Sequence, residues 1–333
     1  MGDNKRSDHF RRDRRSHRSD RIYTDVAKDL AKTIDGVAAA VWLKRATAHS
    51  RSAFDADIQY RDYAAFDRNV DDEHRNDDFA RHYKTAGKGW RIMSNELTAD
   101  NFETRLLALQ SREELLKHQR YFRFDPDNQP ADNYFIGVRM GIIFELGKEF
   151  AQMPVGEIEK LMESPIHEIR VGAMSIMGQS AKGKKCSEER LKDLYELYIR
   201  RHDRINNWDL VDLAAYYVVG KYLADKPRAT LFTLARSQNM WERRTSIVAT
   251  AHFILKQKQV DDTFAIAELL VNDEEDLVNK GTGWMLRAAG DVDRARLLAF
   301  LDKHAATMPR VLLRYSIEKL EKDQREHYLG MKK

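Results

Sequence analysis

Three stretches of this chain repeat one design, and that repeat limits the possible folds more than any other feature of the sequence. SPIHEIRVGAMSIM (164–177), SQNMWERRTSIVAT (237–250) and DEEDLVNKGTGWML (273–286) each open on polar residues, reach a basic position, and continue as an apolar helical segment. PRVLLRYSIEKL (309–320) extends the series. The basic positions Arg170, Arg244, Lys280 and Arg314 lie 74, 36 and 34 residues apart, and 74 is twice 37. A helical period of about 35–40 residues belongs to stacked helix pairs, because each pair buries its apolar face only against its neighbours. The missing step falls at residues 207–212.

From Thr98 onward apolar residues recur at spacings of three and four, as in Phe102, Leu106 and Leu109, with Leu115 beyond. Turn signals punctuate the pattern at DPDNQPAD (125–132), Pro154, Pro165, AKGKK (181–185), Pro227, Gly290 and Pro309. No stretch of strict alternation competes. The expected fold is all-α, a C-shaped α-solenoid of HEAT-like helical pairs over residues 93–333.

Residues 1–92 read differently. They hold 15 Asp but one Glu, two Leu and none of the six prolines, and only residues 22–45 carry a short amphipathic pattern. Too few Leu and Ile are present for a core, so a poorly ordered leader is expected. Met93 is the first Met after Met1, and the reading is that translation begins there; a genuine disordered arm is the alternative. The leader carries 20 Lys+Arg and 16 Asp+Glu out of 57 and 53 in the chain, which leaves residues 93–333 balanced at 37 of each. Nucleic-acid binding by the repeats therefore requires a local basic face rather than net charge. A single cysteine, Cys186, excludes a disulfide framework and fits a reducing compartment. No apolar run approaches the roughly 18 residues of a membrane span, and no secretory signal is present. A cytoplasmic protein is expected.

In a stack of equivalent pairs, Arg170, Arg244, Lys280 and Arg314 fall in register and would form a positive ridge suited to the phosphates of a duplex; taken singly, each would be read as a helix cap or a solvated cation. In VNKGTGWMLR (278–287), Lys280, Trp284 and Arg287 share one helix face, while Val278, Met285 and Ala289 serve the core. In INNWDLVDLAAYYVVG (205–220), Asn207 is a good N-cap and places Trp208 at the first helical position. Asp209 suits the first turn. Asp212 stands one turn beyond Trp208 on the same face, at the edge of an apolar stripe. A carboxylate there needs a cation, a donor or a chemical task, and a salt bridge to the next repeat is the plain alternative. Trp241 and Arg244 share a face, and Arg243 points to solvent or the neighbouring repeat. His167-Glu168 lacks the second His of a zinc helix.

WDLVD (208–212), MWERR (240–244), VNKGTGWMLR (278–287), MPRVLLRYSIEKL (308–320) and NYFIGVRMGIIFELGKEF (133–150) together resemble the bacterial AlkD family of DNA alkylation repair glycosylases. The resemblance covers about 93–325, with the motifs in order. It implies a stack of HEAT-like pairs that removes cationic N3- and N7-alkylated purines from duplex DNA, without metal or cofactor; an open clamp for DNA works as a monomer, which is the expected state. It further implies that Asp212 is the catalytic carboxylate, that Trp208 and Trp284 contact the deoxyribose, and that Arg244 faces a phosphate; Arg170, Lys280, Arg287, Arg310 and Arg314 are the remaining candidate DNA contacts. Met140-Gly141 departs from the family pattern, in which a Pro follows the first-repeat motif. Two rival readings remain: a non-catalytic solenoid that binds distorted or branched DNA, and a protein scaffold.

Overall fold

The computed structural model describes residues 96–122 and 124–331. The leader 1–92, with its amphipathic stretch at 22–45 and the proposed start at Met93, lies outside the described residues. Among those described there are fourteen α-helices and no strand; the one bridge is a lone parallel contact between Tyr134 and Ile166. None of these helices is long and apolar enough to cross a membrane.

The helices fall into two rows. One row comprises α3 (Met140–Glu149), α5 (His167–Lys182), α7 (Trp208–Ala214), α9 (Met240–Val248), α11 (Asp276–Gly290) and α13 (Arg310–Ser316), each packed on the next. The other comprises α1 (Ala99–Leu107), α4 (Val155–Met162), α6 (Glu188–Arg200), α8 (Ala229–Leu234), α10 (Asp261–Leu270), α12 (Arg294–His304) and α14 (Lys322–Gly330), which back the first row. The short α2 (Arg112–His118) precedes α3. The succession of helix pairs expected from the sequence repeat is therefore present.

Local chemistry sets the starts of these helices. Thr98, Ser111, Ser187, Asn207, Asn239 and Asp293 each cap a helix, their side chains accepting from a first-turn amide. One continuous core runs along both rows, from Phe102 and Leu106 through Ile169, Val211, Val218, Ile247 and Met285 to Leu312 and Leu313. Helix α5 sits between α3 and α7 and is backed by α4 and α6, so nearly all its positions are buried, polar ones included.

The α7 helix does not stay regular. It widens into a π-helical segment, Ala215–Gly220, and a second one, Phe253–Gln257, follows α9. Neither segment was anticipated from the apolar spacing. Segments of this kind interrupt the regular ladder and are common near functional sites.

Candidate functional site

The site begins at the first turn of α7. Asn207 has an extended backbone, φ −153° and ψ 161°, and its Oδ1 accepts from the Trp208 amide at 2.9 Å. Trp208 is thus the first helical residue, as the sequence indicates. Asp212 follows one turn later on the same face. Asp212, Arg244, Lys280 and Arg314 are each the fifth residue of their helices, α7, α9, α11 and α13. The step that the repeat lacked is therefore filled by an acid.

Asp212 is buried, and the cation in the same register of the next helix closes on it. Arg244 Nε donates to Oδ1 at 3.0 Å and Nη2 donates to Oδ2 at 2.6 Å, a bidentate fork between adjacent repeats. The two side chains are 4% and 6% exposed, so the pair is hidden from water almost completely. Arg244 Nη1 donates to the Leu277 carbonyl. Burial pushes the Asp212 carboxyl above the ordinary Asp value, with Arg244 pulling against that shift. The fork demands two accepting oxygens and so fits the ionised form. The salt bridge to the next repeat, left open by the residues alone, is present.

Trp208 is half-buried in an aromatic nest. The Phe122 ring lies 5.5 Å from it at an interplanar angle of 16°, a stacked arrangement. Leu115, Phe122 and Phe135 form a small second core with Tyr121, Phe124 and Trp208 packed around it. The Trp208 Nε1 is buried without an acceptor among the described residues. Asp209 is buried; its Oδ1 accepts the Leu210 amide at 2.9 Å, and its Oδ2 sits 2.7 Å from His167 Nε2. The neighbouring Glu168 is also buried. It accepts the amides of Ile136 and Gly137 at 3.1 and 2.8 Å, and His118 Nδ1 stands 3.5 Å away, at ion-pair distance. Burial opposes the Glu168 charge, but His118, His167 and the Ile136 amide outweigh it and hold the carboxyl below its ordinary value. Gly137 makes that loop possible: its φ is +79°, and a Cβ there would meet the Ser111 carbonyl.

The cations expected to form a positive ridge or to contact DNA stand in unlike surroundings. Arg170 is 1% exposed, and its guanidinium donates to the Ser164 carbonyl at 2.6 Å and to Asn133 Oδ1 at 2.5 Å. Arg244 is spent on Asp212 and Leu277, so it does not stand as a surface phosphate contact. Arg287 is 2% exposed and pairs with Glu318. Arg310 donates to the Leu329 carbonyl at 2.7 Å and so ties down the end of α14. These four cations satisfy carbonyls and carboxylates within the fold, which bare phosphate contacts would not do. Arg314 is exposed and Lys280 is half-buried. Arg243 forks Asp273 of the following repeat at 2.6 and 3.1 Å.

Trp284, in α11, is half-buried at the edge of the main core. The two glycines before it have a structural use that the sequence reading missed. A Cβ at Gly281 would lie 3.2 Å from Arg244 Nη1, and a Cβ at Gly283 would lie 2.5 Å from that of Tyr315 and 2.7 Å from the Leu312 carbonyl. Gly281 makes room for the fork, and Gly283 lets α13 approach α11. Tyr315 is buried beside this cluster; burial pushes its hydroxyl up, against the pull of Arg244 and Arg287. Tyr198 was also missed: wholly buried near Asp212 and Arg244, it shares a 2.9 Å hydrogen bond with Thr245, and burial raises its hydroxyl as well.

A comparison with curated proteins gives no match. Among solved structures, one described as "Predicted DNA alkylation repair enzyme from Enterococcus faecalis" is similar at 18% identity and a TM-score of 0.49, with 64% of this chain and 97% of that one covered. The family model described as DNA alkylation repair enzyme matches residues 102–320, from within α1 to beyond α13. On that match the chain belongs to the DNA alkylation repair enzyme family.

Proposed function

We propose that this chain is a DNA glycosylase that releases cationic N3- and N7-alkylated purines, chiefly 3-methyladenine and 7-methylguanine, from duplex DNA. One observation carries the proposal: a buried carboxylate, Asp212, fixed in orientation by an Arg fork and placed one helical turn from a half-buried indole. Family membership supports the repair role.

The chemistry asks little of such a site. An alkylated purine is already positively charged, so the bond from its ring nitrogen to C1′ breaks with both electrons going to the base. The sugar is left as an oxocarbenium-like cation. Water adds to C1′ and loses a proton. The protein need only favour the cation that forms between these events. Asp212 is poorly solvated, so the negative charge left to it beside Arg244 acts on that cation through a weakly screening interior. The Arg244 fork fixes the carboxylate plane, and the carboxylate orients the attacking water. Indole faces attract a nearby cation by about 0.5–2 kcal/mol each, the role given to Trp208 and Trp284. Arg314 and Lys280 supply phosphate contacts on the duplex. An open stack of this kind works as a monomer.

The fork itself favours a second reading. A carboxylate neutralised by one guanidinium is also what a structural link between repeats requires, and a non-catalytic binder of distorted DNA would keep it. One experiment separates the two. Full-length protein is incubated with methylated duplex DNA, and free base is assayed alongside duplex affinity at several salt concentrations. Release of 7-methylguanine that is lost in Asp212→Asn, with duplex binding kept, supports the enzyme. Salt-sensitive binding without release supports the binder and overturns the glycosylase.

A further inference from the structure

The first turn of α5 reaches across to α7 and takes hold of it on both sides of one side chain. His167 Nε2 lies 2.7 Å from Oδ2 of Asp209, the residue after Trp208. Arg170 Nη2 donates to Oδ1 of Asn206, two residues before Trp208, at 3.3 Å. The Asn207 cap lies between these contacts. His167, Arg170 and Asp209 are 2%, 1% and 1% exposed, so these three groups belong to the interior. Buried polar pairs of this kind add little net stability but can select one arrangement over its neighbours.

The ring is held as well as the backbone. Phe122 covers one face of the Trp208 indole in the stacked arrangement described above. Phe122 is itself 4.9 Å from Phe135, which lies 4.6 Å from Phe124 and 4.4 Å from His167. His167 is thus common to both supports: through Asp209 it fixes the helix start, and through Phe135 and Phe122 it backs the stack. A half-buried indole with one covered face can receive a ligand only on its other side.

We infer that His167, Arg170 and Phe122 are positioning residues for Trp208, which hold its indole as a one-faced platform for the deoxyribose. The identity of the received group rests on the glycosylase reading; the holding of the indole does not. Misplacement of a catalytic group by about 1 Å can cost on the order of a hundredfold in rate, so the supports are expected to act on the chemical step and not on duplex affinity.

The test uses the full chain labelled with 5-fluorotryptophan, with the Trp208 19F resonance assigned by Trp208→Phe. Single-turnover release of 7-methylguanine, duplex Kd and Tm are measured on the same samples. Phe122→Leu keeps apolar volume and removes the stack. It is expected to slow release about tenfold or more, leave Kd within about twofold, and move the Trp208 resonance while those of Trp241 and Trp284 stay in place. Phe122→Tyr is expected to restore both rate and resonance. Asp209→Ala should move the same resonance, and Asp209→Asn, which still offers His167 a partner, should not. An unmoved Trp208 resonance and an unchanged rate in Phe122→Leu overturn the inference, as does a shift of the Trp208, Trp241 and Trp284 resonances together, among the five of the chain, with a lowered Tm. Wild-type protein that releases no base overturns the glycosylase reading alone, and the 19F result then still decides whether the indole is held.

Discussion

Asp212 and Arg244 hold the same position in two consecutive helices, and the acid in one repeat is answered by the cation in the next. The other cations of that register, Lys280 and Arg314, follow in α11 and α13. A single acid in a series of bases thereby turns a possible row of repelling charges into an interlock between repeats. The interlock sits one turn from Trp208 and beside Gly281, whose missing side chain gives the guanidinium its room. A site for cation chemistry and a joint of the fold are here the same pair of residues.

Because the pair is buried, its two halves are expected to be energetically inseparable. Asp212→Leu and Arg244→Leu each strand one charge in the interior, and each should lower the unfolding free energy by about 3–5 kcal/mol. The double variant strands neither and should recover most of that loss, while any base-excision activity disappears in all three. Urea denaturation with an unchanged m-value reads the stability. Additive losses in the double variant would show that the fork does not couple the repeats.

The glycines of α11 make a graded prediction. A methyl group at Gly283 meets backbone at the Leu312 carbonyl and Cβ of Tyr315, neither of which can rotate away. Gly283→Ala should therefore push α13 outward and cost about 1–3 kcal/mol. At Gly281 the contact is with the far end of the Arg244 side chain at 3.2 Å, which can shift by a few tenths of an ångström. Gly281→Ala should cost less than about 1 kcal/mol, with its main effect on the fork and so on excision. Thermal denaturation of the two variants gives the order, and a larger loss from Gly281→Ala would contradict it.

Local features were legible in the sequence, and tertiary ones were not. The Asn207 cap, the start of α7 at Trp208 and the core stripe of Val278, Met285 and Ala289 all follow from spacing within one helix, so reading along the chain finds them. The oddity of Asp212 was visible for the same reason. The fate of the cations was not, because it depends on how many neighbours a helix has. Arg170 lies in α5, packed between α3 and α7 and backed by two more helices, and is buried; Arg314 lies in α13, flanked by α11 and α14, and is exposed. The His167–Asp209 pair joins residues 42 apart through a contact no periodicity encodes.

His252 predicts how the fold responds to acid. Burial, then the charges of Lys221, Lys256 and Arg228, push its imidazole from 6.5 down to about 4. In the unfolded chain the ring takes up a proton near its ordinary value, whereas in the fold it stays neutral until far lower pH. Its contribution is therefore fully present above about pH 6.5 and is lost progressively as pH falls toward 4. His252→Gln should flatten the stability profile across that window and leave it unchanged at pH 8. Tm measured from pH 4 to pH 8 for both proteins tests this, and parallel profiles would exclude His252 as a source of acid sensitivity.

Arg314 and Arg170 came from the same sequence repeat, and their different surroundings predict opposite behaviour. Arg314 is exposed, so Arg314→Ala should leave Tm unchanged. If it touches a phosphate, the variant binds duplex DNA more weakly regardless of sequence, and the slope of log affinity against log salt falls by about one. Arg170 reaches Ser164, Asn133 and Asn206 from inside the fold, so Arg170→Ala removes three hydrogen bonds and leaves acceptors behind. Its Tm should fall, since each buried polar group left unpaired costs about 1–3 kcal/mol, while the salt slope of the folded fraction stays that of the wild type. Fluorescence anisotropy across a salt series, paired with thermal melts, reads both variants. A reduced slope in Arg170→Ala with an unchanged melt would mean that the buried guanidinium reaches DNA after all and that α5 opens on binding.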